Sequence, residues 1–147
     1  MFSFSNEKNP KMKPSINTMI SFYQQLGKVF YSVAAVDKTV REEEITQLKE
    51  IVKKEWLPIE DSLNEFGDDS ANQIEIVFDW LVRNHWDTNE VIPDFESFRK
   101  EHPSLFTAEV NALILKTTNA IAESFSRKNK LELVLINQLS EILQQEH

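Results

Sequence analysis

From Ile16 onward the apolar positions fall at intervals of three and four residues: Ile16, Met19, Ile20, Tyr23, Leu26, Phe30, Val33 and Ala34. That is the period of an α-helix burying one face, and it predicts one long first helix. Gly27 lies inside it. Glycine weakens a helix interior relative to alanine, so its presence predicts a close approach by a neighbouring helix. A break around Asp37 to Thr39 leads to a second helix, with Ile45, Leu48, Val52 and Trp56 inward. It should stop before Pro58, because the residue ahead of a proline disfavours helical geometry.

A short helical turn is expected next, with Ile59, Leu63 and Phe66 on one face and Gly67 as its left-handed terminator. Ser70 then reads as an N-cap with Gln73 three residues on, opening a helix that buries Ile74, Val77, Phe78, Leu81 and Val82. Between His85 and Pro103 the pattern weakens. The run "PDFESFRKEH" predicts a short helix with Pro93 in its first turn and Phe95 and Phe98 inward. Two long helices close the chain. One carries Val110, Leu113, Ile114, Thr117, Ile121 and Phe125. The other carries Leu131, Val134, Leu135, Leu139, Ile142 and Leu143 over an arc wide enough to predict a central position.

Together these elements predict an all-α, compact bundle of about six or seven helices around one core. The length of 147 residues suits a single domain, spanning 15–147, behind a polar, proline-containing N-terminal tail of residues 1–14 expected to be flexible. Only 2 glycines stand in the chain, too few for a fold of hairpins and tight turns. The 24 acidic and 16 basic residues leave a net charge of −8, which repels phosphate backbones and argues against a nucleic-acid partner. The absence of cysteine removes disulfides, thiolate metal sites and cysteine nucleophiles. No apolar run approaches the ~20 residues needed to cross a bilayer, and the start has no basic segment leading into an apolar one. A cytoplasmic protein with no direct membrane insertion is expected.

The segment "DKTVREEE", residues Asp37 to Glu44, concentrates carboxylates, and two readings of it stand. In the first, Thr39 and Glu42 form a capping box, and Glu43 and Glu44 sit in the first turns of the helix, where its dipole favours negative charge. No ligand is needed for that. In the second, Glu44 leans toward the helix N-terminus and back to the loop carrying Asp37, because helical side chains tilt that way. A hard cation of the calcium or magnesium class would accept Asp37, Glu44, loop carbonyls and water. The spacing is not that of an EF-hand, since Arg41 and Leu48 fall at the fifth and twelfth positions counted from Asp37.

The longer run "LGKVFYSVAAVDKTVREEEITQLKEIV" resembles the signature of the TerB-like family, which includes a tellurite-resistance protein and a domain of a membrane-anchored co-chaperone. Ala34, Asp37, Val40, Glu43 and Glu44 carry the match. It covers residues 22–52 well, and "AIAESF", residues Ala120 to Phe125, matches a related second segment more loosely. A duplicated helix pair with an insertion in its second loop would explain that echo. Lys38 stands where the family has glycine, and Ser124 where it has a second aspartate. The resemblance implies an all-helical, non-enzymatic domain that binds a divalent metal through acidic residues, Glu43 among them, and serves in stress-response or membrane-associated complexes.

No other motif points to chemistry. The chain has no phosphate-binding glycine loop, no nucleophile elbow and no nucleophile with its base, so no enzyme is expected. His85 and His102 belong to no zinc-binding pattern and read as surface or helix-end residues. Glu60, Asp61, Glu65, Asp68 and Asp69 read as a solvated face. Trp56, Phe66, Phe78, Trp80, Trp86, Phe95, Phe98 and Phe106 are expected in the core. Two functions of different kinds follow: a metal-responsive accessory domain using Asp37 and Glu44, or a metal-independent scaffold whose helical surface binds another protein.

Overall fold

The computed structural model describes residues 16–35, 42–56, 58, 72–84, 88–124 and 130–144. Those residues form six α-helices: α1 (Ile16–Ala34), α2 (Glu42–Ile51), α3 (Gln73–Asn84), α4 (Val91–Glu101), α5 (Ala108–Ser124) and α6 (Lys130–Gln144). A π-helical turn, Val52–Trp56, extends α2, and a 3₁₀ turn, Pro103–Leu105, follows α4. The all-helical expectation therefore holds among the described residues. The N-terminal tail, Asp37 to Thr39, the turn around Phe66 and Gly67, the Ser70 cap, His85 and Trp86 lie outside them, as do Phe125 and the acidic cluster between Glu60 and Asp69.

The core is organised around α1, which packs against α3, α4, α5 and α6. Its apolar residues form more than one stripe. Besides the predicted Met19, Tyr23, Leu26, Phe30, Val33 and Ala34, the side chains of Phe22, Val29 and Tyr31 are buried. From Val29 to Ala34 every residue is buried, including Ser32, whose hydroxyl donates to the Val29 carbonyl at 2.7 Å. A helix that is apolar on all sides needs neighbours on all sides. The central helix is therefore α1 rather than α6. The last helix buries one face through Ile136, Leu139, Ile142 and Leu143 but leaves Leu133 and Val134 exposed, so Val134 does not belong to the core.

Gly27 marks where α1 and α3 come closest. A Cβ at that position would lie 2.9 Å from the Ile74 carbonyl oxygen and 3.0 Å from the Val77 Cβ. The lost helix propensity is thus exchanged for a backbone contact that no side chain would permit.

Aromatic rings fill the space on both flanks of α1. Phe22 meets Phe106 edge-on at 5.5 Å and stacks on Phe98 at 6.3 Å, while Phe95 meets Phe106 at 5.7 Å. On the other flank Trp56 contacts Tyr23 and Phe30, with centroids 6.3 and 6.2 Å away. Apart from the stacked Phe22–Phe98 pair, these geometries are the tilted and edge-on ones favoured by ring quadrupoles. Among the described residues Trp80 is the exception to the predicted aromatic core, with 45% of its surface exposed. The buried stripe of α3 runs through Ile74, Phe78 and Leu81, and position 80 falls on the far side of that stripe.

The π-helical turn explains how Trp56 reaches the core. In a regular α-helix residues four apart drift by about 40° around the axis. The wider turn removes that drift, and Leu48, Val52 and Trp56 are all fully buried. The indole Nε1 then donates to the Thr117 hydroxyl of α5 at 3.1 Å, and that hydroxyl donates to the Leu113 carbonyl at 2.8 Å. A long helix bond to α5 is thereby made without leaving the indole N–H unsatisfied.

Arg99 is a second feature absent from the predicted core. It is 3% exposed, in the last turn of α4. Its Nη2 donates to the Leu143 carbonyl at 3.1 Å, the Asn111 amide donates to the same oxygen at 3.4 Å, and the guanidinium lies 5.8 Å from the Phe106 ring centroid. Carbonyls of a last helical turn have no partner within the helix, and α4 and α5 supply donors to this one in α6. Thr107 caps the opposite kind of end, its hydroxyl accepting from the Val110 N–H at 3.1 Å at the start of α5.

Candidate functional site

Of the three carboxylates expected to hold a cation, one side chain lies among the described residues. Glu43 lies in the first turn of α2 with its side chain exposed, beside an equally exposed Glu42. Asp37 and the Glu44 side chain are outside the described residues. Among the described residues no three His, Asp or Glu side chains converge in a way that could hold a metal ion. Glu43 and Glu42 at the helix start accord with the favourable placement of acids near a helix N-terminus. His102 sits at the C-cap of α4, with its ring 4.6 Å from Phe98, which is the helix-end position expected for it.

Three other surface features do lie within the described residues. The first is the seam between α2 and α3. There Lys49 pairs with Asp79 at 3.5 Å, both side chains partly open to solvent. One turn earlier on α3 stands Glu75, half-buried, with its Oε1 shut from solvent and no hydrogen-bond donor in reach. Burial pushes the Glu75 carboxyl above its ordinary value. Lys49 and Lys53 pull it back down, and Asp79 adds to the rise. Nearby, Gln24 of α1 donates to the Gln73 side chain at 3.3 Å.

The second is the outer face of α3, where Ile76 and Trp80 stand one turn apart with 55% and 45% of their surfaces exposed. Large apolar side chains this open are the informative kind of exposure, particularly as a pair at helical spacing. The helical phase of residues 74, 78 and 81 already places 76 and 80 opposite, so the sequence contained the signal.

The third is a groove of about 540 Å³ between the π-helical turn and α5, lined by Lys54, Glu55, Pro58, Glu109, Ala112, Leu113 and Lys116. Its charges alternate in sign, and Glu55 and Lys116 neutralise one another across it at 3.0 Å. The Glu55–Lys116 pair ties the π-helical turn to α5 across it.

No protein-family model, no curated protein and no solved structure matches the chain. No helix of the described residues is long and apolar enough to cross a membrane. Function is therefore read from these surfaces and from the acidic segment ahead of α2.

Proposed function

We propose that the chain is a cytoplasmic, non-catalytic, TerB-like domain that acts as a stress-response accessory by binding another protein through the outer face of α3. The observation that carries the interaction is the exposure of Ile76 and Trp80 on successive turns, outside a core that has ample apolar surface of its own. Aromatic side chains of this kind are enriched where proteins meet. The fit is to a partner presenting an apolar ridge or pocket of similar length. Affinity capture with the wild-type chain and with the double variant Ile76→Ser, Trp80→Ala tests it. A partner retained by the first and lost by the second, with the thermal midpoint unchanged, is the expected result. Equal capture by both would place the interaction elsewhere, and capture of nothing reproducible would count against the reading.

The resemblance adds a cation to this proposal, held by Asp37 and Glu44 with Glu43 at the margin. Oxygen ligands and water suit calcium or magnesium rather than zinc. If so, the thermal midpoint of chelated protein rises when one cation is restored, corresponding to about 2.7 kcal/mol at a hundredfold excess over its dissociation constant. The variant Asp37→Asn, Glu44→Gln should keep the apo midpoint and lose the rise. A rise that survives both substitutions would remove those ligands, and no rise with any cation would leave the segment as a helix start.

A further inference from the structure

The seam between α2 and α3 differs in kind from the contact of α1 with α3. The contact of α1 with α3 is closed by a glycine set against backbone, and that of α2 with α5 by the buried indole of Trp56. Between α2 and α3 the chain instead places two lysines opposite two acids. From α2, Lys49 and Lys53 act on Glu75, and from α3 itself Asp79 does. From α1, the groups against the same turn of α3 are uncharged, Gly27 at the Ile74 carbonyl and Gln24 at Gln73.

Four charges of alternating element and sign could form two ion pairs, yet the geometry closes only the one between Lys49 and Asp79. Glu75 is left with a buried oxygen that accepts no hydrogen bond. A carboxylate desolvated in this way is costly, and a protonated carboxyl in the same place is much less so.

We propose that the α2–α3 seam is a proton-operated latch, loosened while Glu75 is ionised and tightened when its carboxyl takes up a proton. This inference stands apart from the function proposed above. Burial raises the affinity of Glu75 for that proton, against the pull of Lys49 and Lys53. The sign follows from linkage. A group whose folded pKa exceeds its unfolded pKa lends stability that is fully present below the unfolded value and is lost as pH rises through the folded one. The seam therefore tightens on mild acidification, above the pH at which ordinary carboxylates become neutral.

The substitution Glu75→Gln keeps the shape of the protonated acid and removes the titration. The expected result is a higher thermal midpoint than wild type at about pH 7.5, with the gap closing by about pH 3, where the wild-type carboxyl is itself neutral in both states. Amide protection between Leu48 and Ile51 of α2 should rise with it at neutral pH, while that of α6 stays as in wild type. Equal midpoints at neutral pH, a gap that does not close on acidification, or equal gains in α2 and α6 would each overturn the latch. Should Glu75→Gln fail to accumulate, Lys49→Met carries the test. It removes a charge that favours ionised Glu75, so the pH at which α2 protection changes must move upward, and a transition that stays in place overturns the proposal.

Discussion

Replacing Gly27 by alanine is expected to destabilise the protein, although alanine is the better helix former. Propensity alone predicts a gain of about 1 kcal/mol. Against it stands a new Cβ 2.9 Å from the Ile74 carbonyl oxygen, closer than real Cβ contacts come. The oxygen belongs to the backbone of α3 and cannot rotate away, and the second neighbour is the Cβ of Val77, which is equally fixed. Relief requires α1 and α3 to separate, and overpacking of this kind costs about 1–3 kcal/mol. The steric term should win for alanine, by up to about 2 kcal/mol. It should win by more for valine, whose branch also enters the contact. Urea unfolding of the two variants beside wild type measures this. A Gly27→Ala protein as stable as wild type would mean that α1 and α3 do not approach as closely as described.

Trp56→Ala should have the largest effect of any single substitution in the chain. The indole is fully buried between α1, α2 and α5, in contact with Tyr23 and Phe30, and truncating such a side chain costs about 3–5 kcal/mol. The hydrogen bond to Thr117 can be isolated from the packing. Thr117→Val preserves shape but leaves the indole N–H buried without its acceptor, at a cost of about 1–3 kcal/mol. Trp56→Phe removes the donor together with part of the volume. In the double variant Trp56→Phe, Thr117→Val the losses should sum to less than the two single ones, because the orphaned N–H is gone. Strict additivity would show that the bond contributes nothing.

Gly27 and Trp56 also show what could be read from the chain. A glycine in mid-helix has few explanations, and the predicted one, a close neighbour, is what α3 provides. The faces of α3, α4 and α5 followed from period alone: Ile74, Phe78 and Leu81, Phe95 and Phe98, and Val110, Leu113, Ile114, Thr117 and Ile121 are all buried. Trp80 departs from the expected aromatic core because its helical phase outweighs its residue type. Arg99 was missed for the same reason, since it follows Phe95 by four residues on the buried side of α4. Its charge argued for solvent, while its partner, the Leu143 carbonyl, lies on another helix. The central position of α1 rests on contacts with helices far along the chain, which no local window contains.

The acidic segment shows a different limit. Its residue types and spacing fit both a helix cap and a cation site, because both need oxygen near a helix N-terminus. The pairing of Lys49 with Asp79 and the stranding of Glu75 had no sequence signature, since they depend on how α2 lies across α3.

The burial of α1 on every side from Val29 to Ala34 has a consequence for how the chain is made. Its neighbours include α5 and α6, which are synthesised well after it. Contacts between the two ends of a chain form late, since the loop between them must close first. A nascent chain therefore carries its most apolar helix only partly covered, by α3 and α4, until α5 and α6 have emerged, and exposed apolar surface of that kind invites aggregation. A chain stopped short of α5 would be expected to fall to proteases or bind chaperones through α1. Emergence of α5 and α6 from the ribosome is thus the step at which the bundle can close around α1.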